Sequence, residues 1–87
     1  MDLTSSILDD VRSVVAATLG VEDRAAAWDA ATPLLGAQPE LDSMAVAELI
    51  AALEERFGLE VDDADVTGEV FETLGSLTEF VERERTS

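Results

Sequence analysis

Leu41-Asp42-Ser43-Met44-Ala45-Val46-Ala47-Glu48-Leu49-Ile50-Ala51-Ala52-Leu53-Glu54-Glu55-Arg56-Phe57-Gly58 is the stretch that decides how this chain folds. Val46, Leu49, Ile50, Leu53 and Phe57 recur at the 3.6-residue period and predict a helix over 43–57 with one apolar face. Gly58 is placed to end it, because glycine tolerates the left-handed conformation that closes a helix. At the other end, Asp42 or Ser43 offers a side-chain oxygen to cap the orphan N–H groups. The opposite face carries Met44, Ala47, Glu48, Ala51 and Glu55, with Glu54 at its edge. That stripe mixes one large apolar residue, small alanines and carboxylates, and it begins beside Ser43. The alanines serve helix propensity or an adaptable docking surface, and an outward methionine among acids favours docking.

Working outward, Leu3, Ile7, Leu8, Val11, Val14, Val15 and Leu19 form a broad stripe that predicts a helix over 3–19, with Asp9, Arg12 and Ser13 facing away. Thr4, Ser5 and Ser6 offer caps and Gly20 a stop. Residues 20–42 are too long for a structureless loop in a small domain, so a hidden turn or two is expected between Asp23 and Ala31. Pro33, Gly36 and Pro39 then impose irregular backbone up to the serine. Leu34, Leu35 and Leu41 are expected to pin this loop to the core. Trp28 is either a further anchor or a half-exposed lid, and packing in the core is the commoner fate of a lone tryptophan.

Beyond Gly58, a short extended piece, Leu59-Glu60-Val61, and an acidic turn lead to a brief third helix expected over 63–70, which Gly68 interrupts. Thr73 caps a last helix with Leu74, Leu77 and Val81 toward the core, Phe80 flanking them, and a tail that frays after Arg83. The acidic turn Asp63-x-Asp65-x-Thr67-Gly68 imitates the start of a calcium-binding EF-hand loop. That loop needs a bidentate glutamate at its twelfth position, which here is Leu74, so no metal site is assigned.

Composition removes most catalytic chemistry. The 87 residues contain no cysteine, histidine, lysine or tyrosine, which excludes Ser-His-Asp and Cys-His pairs, Schiff-base lysines and a Walker-type phosphate loop. Thiol chemistry would have to come from an added group. Catalysis by this chain alone is not expected. The 20 acids against five arginines (Arg12, Arg24, Arg56, Arg83 and Arg85) give a net charge of −15. That charge disfavours nucleic-acid and anionic-membrane binding and attracts basic protein surfaces. No apolar stretch approaches the about 18–20 residues of a membrane span, and Met1-Asp2 does not open a signal peptide, so a cytoplasmic protein is expected.

The run Asp42-Ser43-Met44, followed by Glu48-Leu49-Ile50 and Leu53-Glu54-Glu55-Arg56-Phe57-Gly58, resembles the phosphopantetheine attachment site of acyl carrier proteins. The usual pattern there is Asp-Ser-Leu, then a helix rich in Glu, Leu and Val closed by Phe-Gly. The resemblance spans nearly the whole chain, although only the 41–58 stretch is specific. It implies a single domain over 1–87 with an all-α fold, a small four-helix bundle of three main helices plus a short one behind a long first loop.

By the same resemblance Ser43, flanked by Asp42 and Met44, receives 4'-phosphopantetheine from coenzyme A. A separate phosphopantetheinyl transferase with magnesium supplies the base, and the arm's thiol then carries acyl or aminoacyl cargo as a thioester. Glu48 and Glu55, with Glu54 at the edge, match family positions that meet basic patches on acyl-activating, acyl-transferring or condensing enzymes. Met44, Ala47 and Ala51 match the apolar positions between them.

Two residues depart from the fatty-acid-synthesis pattern. Ala45 stands where another acid is usual, and Ala51 where a bulkier apolar residue is. The run from Leu35 to Val46 looks more like discrete carriers of bacterial secondary-metabolite or exopolysaccharide gene clusters. The competing class is an acidic helical interaction module, such as a nucleic-acid mimic without a prosthetic group. It accounts for the charge but not for a serine set beside an apolar-acidic stripe.

Overall fold

The structure, a computed structural model, describes residues 3–39 and 41–86, with no account of the side chains of residues 3–6, 63 and 86. Its elements are α1 (Leu3–Leu19), the one-turn α2 (Glu22–Ala25), α3 (Ser43–Phe57), a 3₁₀ turn (Asp63–Asp65) and α4 (Leu74–Thr86). Three main helices and one short helix form the expected all-α bundle. α1 packs against α3, α4 and α2.

Burial follows the periodic stripes. Val11 and Val15 of α1, Leu49 and Leu53 of α3, and Leu74, Leu77 and Val81 of α4 are all but fully removed from water. Burying side chains of this size contributes about 1.5–3 kcal/mol each, which is what holds short helices that would be marginal alone. Phe80 is buried at 4 % exposure and belongs to the core instead of flanking it. Trp28 is buried too, so of its two readings the anchor holds. Arg12 does not simply face away. Its guanidinium donates to the Trp28 carbonyl at 3.1 Å and to Asp9 at 2.9 Å, tying α1 to the long loop.

Both glycine stops appear as expected, with Gly20 at φ +70° and Gly58 at φ +65°. The helical turn sought between Asp23 and Ala31 is there but shorter and earlier, as α2. The expected caps Thr4, Ser5 and Ser6 fall within α1, which already runs from Leu3, and their side chains lie outside the described residues.

The third helix expected over 63–70 shrinks to the 3₁₀ turn. Asp62 bonds the Ala64 N–H through its side chain (2.9 Å) and the Asp65 N–H through its carbonyl (2.9 Å). Beyond it, Val66 is only partly buried and Thr67, Gly68 and Glu69 are exposed. Too little apolar surface is covered there to repay the cost of nucleating a helix. α4, by contrast, continues past Arg83 to Thr86, where a frayed tail was expected. Arg83 and Arg85 in its last turn suit the negative end of the helix dipole.

The long loop is tied down by backbone bonds. Leu34 donates to the Glu72 carbonyl and Leu35 to the Phe71 carbonyl, each at 2.9 Å. Leu74 donates back to Thr32 at 2.9 Å and Gly75 to Ala30 at 2.8 Å. A Cβ at position 75 would stand 2.7 Å from the Ala30 carbonyl oxygen, so only glycine allows this approach. These bonds fix the loop that runs into α3.

Candidate functional site

Asp42 is the N-cap of α3. Its backbone is extended (φ −99°, ψ −176°), its side chain accepts from the Ala45 N–H at 2.8 Å, and its carbonyl accepts from Val46 at 2.9 Å. Of the two caps open in the sequence, the structure thus uses Asp42, and Ser43 becomes the first residue of the helix. The Ser43 side chain is exposed and its hydroxyl makes no hydrogen bond with a described residue.

The chain on either side of Ser43 is pinned. Leu41 is buried at 5 % exposure and its N–H donates to the Gln38 carbonyl at 3.0 Å, while Leu49 and Leu53 root the following helix in the core. A free hydroxyl is therefore presented on a fixed backbone. Its position suits a phosphodiester, because the first turn of a helix offers unpaired N–H groups and a partial positive charge. The carboxylate adjacent to it in sequence, Asp42, is committed to the cap. The residues present fit a phosphate-linked group on the Ser43 oxygen.

Gln38 is a connector that sequence reasoning did not identify. Its amide donates to the Pro33 carbonyl at 3.1 Å and accepts from Arg24 at 3.2 Å, and its own N–H donates to Leu34 at 2.9 Å. No periodic signal marks it, since each of its partners is set by the path of the loop.

The stripe expected on α3 is brought together in space. Met44, Ala47, Glu48, Ala51 and Glu55 are all exposed, and Met44 reaches 73 %. Glu48 and Glu55 lie about 10.5 Å apart along the axis at 1.5 Å per residue. Glu54 is different. It is half-buried and its Oε2 accepts from the Val61 N–H at 2.8 Å, so this carboxylate braces the connection after α3. Ala45 is likewise half-buried and stands outside the stripe.

Arg56 at the far end pairs with Asp10 of α1 at 3.1 Å, and both it and Arg85 lie over the Phe57 ring at 5.5 and 5.6 Å. Leu35, expected as a core anchor, is 46 % exposed, whereas Leu34 and Leu41 are buried as expected. Among the described residues no group of three acids is placed to hold a metal ion, and no helix is long and apolar enough to cross a membrane.

Residues 9–81 match the phosphopantetheine attachment site family. Among solved structures, the chain is similar to the solution NMR structure of a holo acyl carrier protein from Nitrosomonas europaea, with 45 % identity and a TM-score of 0.86 over 92 % of this chain and 96 % of that one. With a family match over most of its length and this agreement in fold, the chain belongs to the phosphopantetheine-bearing acyl carrier proteins, which carry substrates for biosynthetic enzymes and do not themselves catalyse.

Proposed function

We propose that Ser43 is the attachment point of the 4'-phosphopantetheine arm, and that the whole chain, residues 1–87, acts as one monomeric carrier domain. The observation that carries this reading is the free, exposed Ser43 hydroxyl on the first turn of α3, with Leu41 and Leu49 fixing the backbone around it. The arm supplies the thiol that this cysteine-free chain lacks. A carrier needs only to present the hydroxyl, because the base comes from the transferase. That division of labour suits a chain with neither histidine nor lysine.

The cargo is an acyl or aminoacyl thioester. Partner enzymes dock on Met44, Ala47, Glu48, Ala51 and Glu55, where carboxylates meet basic side chains around an apolar strip. Ala45 and Ala51 favour the discrete carriers of bacterial secondary-metabolite or exopolysaccharide pathways over those of fatty-acid synthesis. Coenzyme A is the donor of the arm, which places this work in the cytoplasm.

Intact mass after incubation with coenzyme A, magnesium and a broad-specificity phosphopantetheinyl transferase tests the attachment. The wild-type chain gains the mass of one phosphopantetheine. Ser43→Ala gains none while keeping its helical circular dichroism, since Asp42 supplies the cap without help from Ser43. Modification persisting in Ser43→Ala would falsify the assignment.

A further inference from the structure

The first turn of α3 has little packing of its own to hold it. The first buried residue of that helix is Leu49, six positions after Ser43. Between them Met44, Ala47 and Glu48 are exposed, and Ala45 and Val46 are only partly buried. Helix ends fray where packing is thin. The Asp42 cap fixes the internal geometry of the turn but not its place in the molecule. That place is set from the loop side, through Leu41.

Leu41 is buried, and its N–H is held at 3.0 Å by the Gln38 carbonyl. The bond closes a turn whose second residue is Pro39, a position that suits proline's fixed φ. Gln38 is itself engaged at every hydrogen-bonding group. Its N–H donates to the Leu34 carbonyl at 2.9 Å and its side-chain nitrogen to the Pro33 carbonyl at 3.1 Å. Its side-chain oxygen accepts from the Arg24 guanidinium of α2 at 3.2 Å. Leu34 is fully buried and donates to the Glu72 carbonyl at 2.9 Å, so the line of bonds ends in the segment that leads into α4. One partly buried side chain thus closes the stretch from Pro33 to Gln38 and links it to α2.

From this placement we infer that Gln38 is a positioning residue for attachment of the arm: its side-chain clamp holds the turn ending at Leu41, and through that turn the Ser43 hydroxyl. The inference rests on the carrier reading above. In that reaction the Ser43 oxygen bonds to the phosphorus next to pantetheine in coenzyme A. The bond from that phosphorus to the bridging oxygen breaks, and adenosine 3',5'-bisphosphate leaves with the electron pair. The serine proton goes to the base on the transferase. Such a displacement depends on where the attacking oxygen stands, and a misplacement of about 1 Å can cost about a hundredfold in rate. Gln38 supplies no atom to the reaction and acts only through the turn.

The test is single-turnover loading of the full chain, with coenzyme A and magnesium saturating and a phosphopantetheinyl transferase in varied excess. The plateau rate then reports the chemical step and the half-saturation reports docking. Gln38→Met keeps the length of the side chain and removes its hydrogen bonds. Val81→Ala truncates a buried valine of α4 and serves as a control for general loss of stability. Amide exchange at Leu41 and Ala45, against Leu49 and Leu53, reports the order of the turn separately.

Gln38→Met should lower the plateau rate about threefold to tenfold and leave half-saturation within about twofold. Exchange at Leu41 and Ala45 should quicken by about threefold to tenfold, with smaller changes at Leu49 and Leu53. Val81→Ala should lower the thermal midpoint more than Gln38→Met does, yet keep the wild-type plateau at a temperature where both are folded. An unchanged plateau in Gln38→Met overturns the inference, whatever its exchange rates. An equal plateau loss in Val81→Ala overturns it too, by assigning the effect to general stability. A rise in half-saturation alone would make Gln38 a contact of the transferase and likewise overturn it. All three outcomes leave the carrier reading intact, because the wild-type chain is still loaded. A wild-type chain that is never loaded, or a Ser43→Ala chain that is, overturns both.

Discussion

Glu54 and Glu55 are adjacent in sequence and have different surroundings. Glu54 turns inward and accepts the Val61 N–H at 2.8 Å, whereas Glu55 is exposed on the α3 stripe. Removing one partner of a half-buried hydrogen bond leaves the other unsatisfied, which costs about 1–3 kcal/mol, whereas an exposed charge contact is worth about 0.2–1 kcal/mol. Glu54→Ala should therefore lower the midpoint of chemical denaturation clearly and leave enzyme docking little changed. Glu55→Ala should do the reverse. Denaturation curves and partner kinetics measured on the two variants together decide it, and equal losses of stability would show that the Glu54 brace contributes nothing.

Among the elements, α3 is capped and rooted independently of its outward face. Asp42 closes one end, Gly58 the other, and Leu49 and Leu53 hold it in the core. Changes on the stripe should accordingly affect partners and not folding. Glu48→Lys with Glu55→Lys replaces attraction to a basic patch by repulsion and should slow association strongly at low salt. Glu60→Lys with Glu79→Lys changes net charge equally away from the stripe. Arm transfer measured against ionic strength separates the two, and identical losses in both double variants would mean that long-range charge alone suffices.

α4 is capped by a reciprocal pair, with Thr73 N–H donating to the Ser76 hydroxyl and Ser76 N–H donating to the Thr73 hydroxyl, each at 3.0 Å. Serine here takes the place that glutamate or glutamine fills in the usual capping box. The Ser76 hydroxyl also donates toward the carbonyls of Val70 and Thr73, each at 2.9 Å, which ties the last loop to the helix.

At the scale of the whole molecule, charge opposes folding. A net charge of −15 is spread over a small domain whose ion pairs include Arg12–Asp9 and Arg56–Asp10. Salt shortens the screening length from about 10 Å at 0.1 M to about 3 Å at 1 M, so repulsion between exposed carboxylates weakens. The thermal midpoint should rise across that range, and millimolar magnesium or calcium should raise it further by condensing on the acids. Calorimetry across a salt series checks this, and a flat or falling midpoint would show that packing and not repulsion limits stability.

The sequence by itself determined the helices with strong apolar periodicity. Those of α1 and α3 agree to the residue, because a 3.6-residue stripe, a cap and a terminal glycine are all local signals. It likewise placed a serine at the start of α3 and an apolar-acidic stripe after it, since the spacing along one helix settles which residues share a face. Tertiary structure decided everything that depends on what lies across the gap. Leu35 and Leu34 are neighbours of the same type, yet the bonds to Phe71 and Glu72 bury one and expose the other. Glu54 turned inward because the returning chain brought Val61 within reach, and Gly75 is required because Ala30 packs against it. The helix expected over 63–70 became a 3₁₀ turn for want of a surface to bury. Periodicity reports which face of an element is apolar, but only the packed neighbours determine how much of that face is covered.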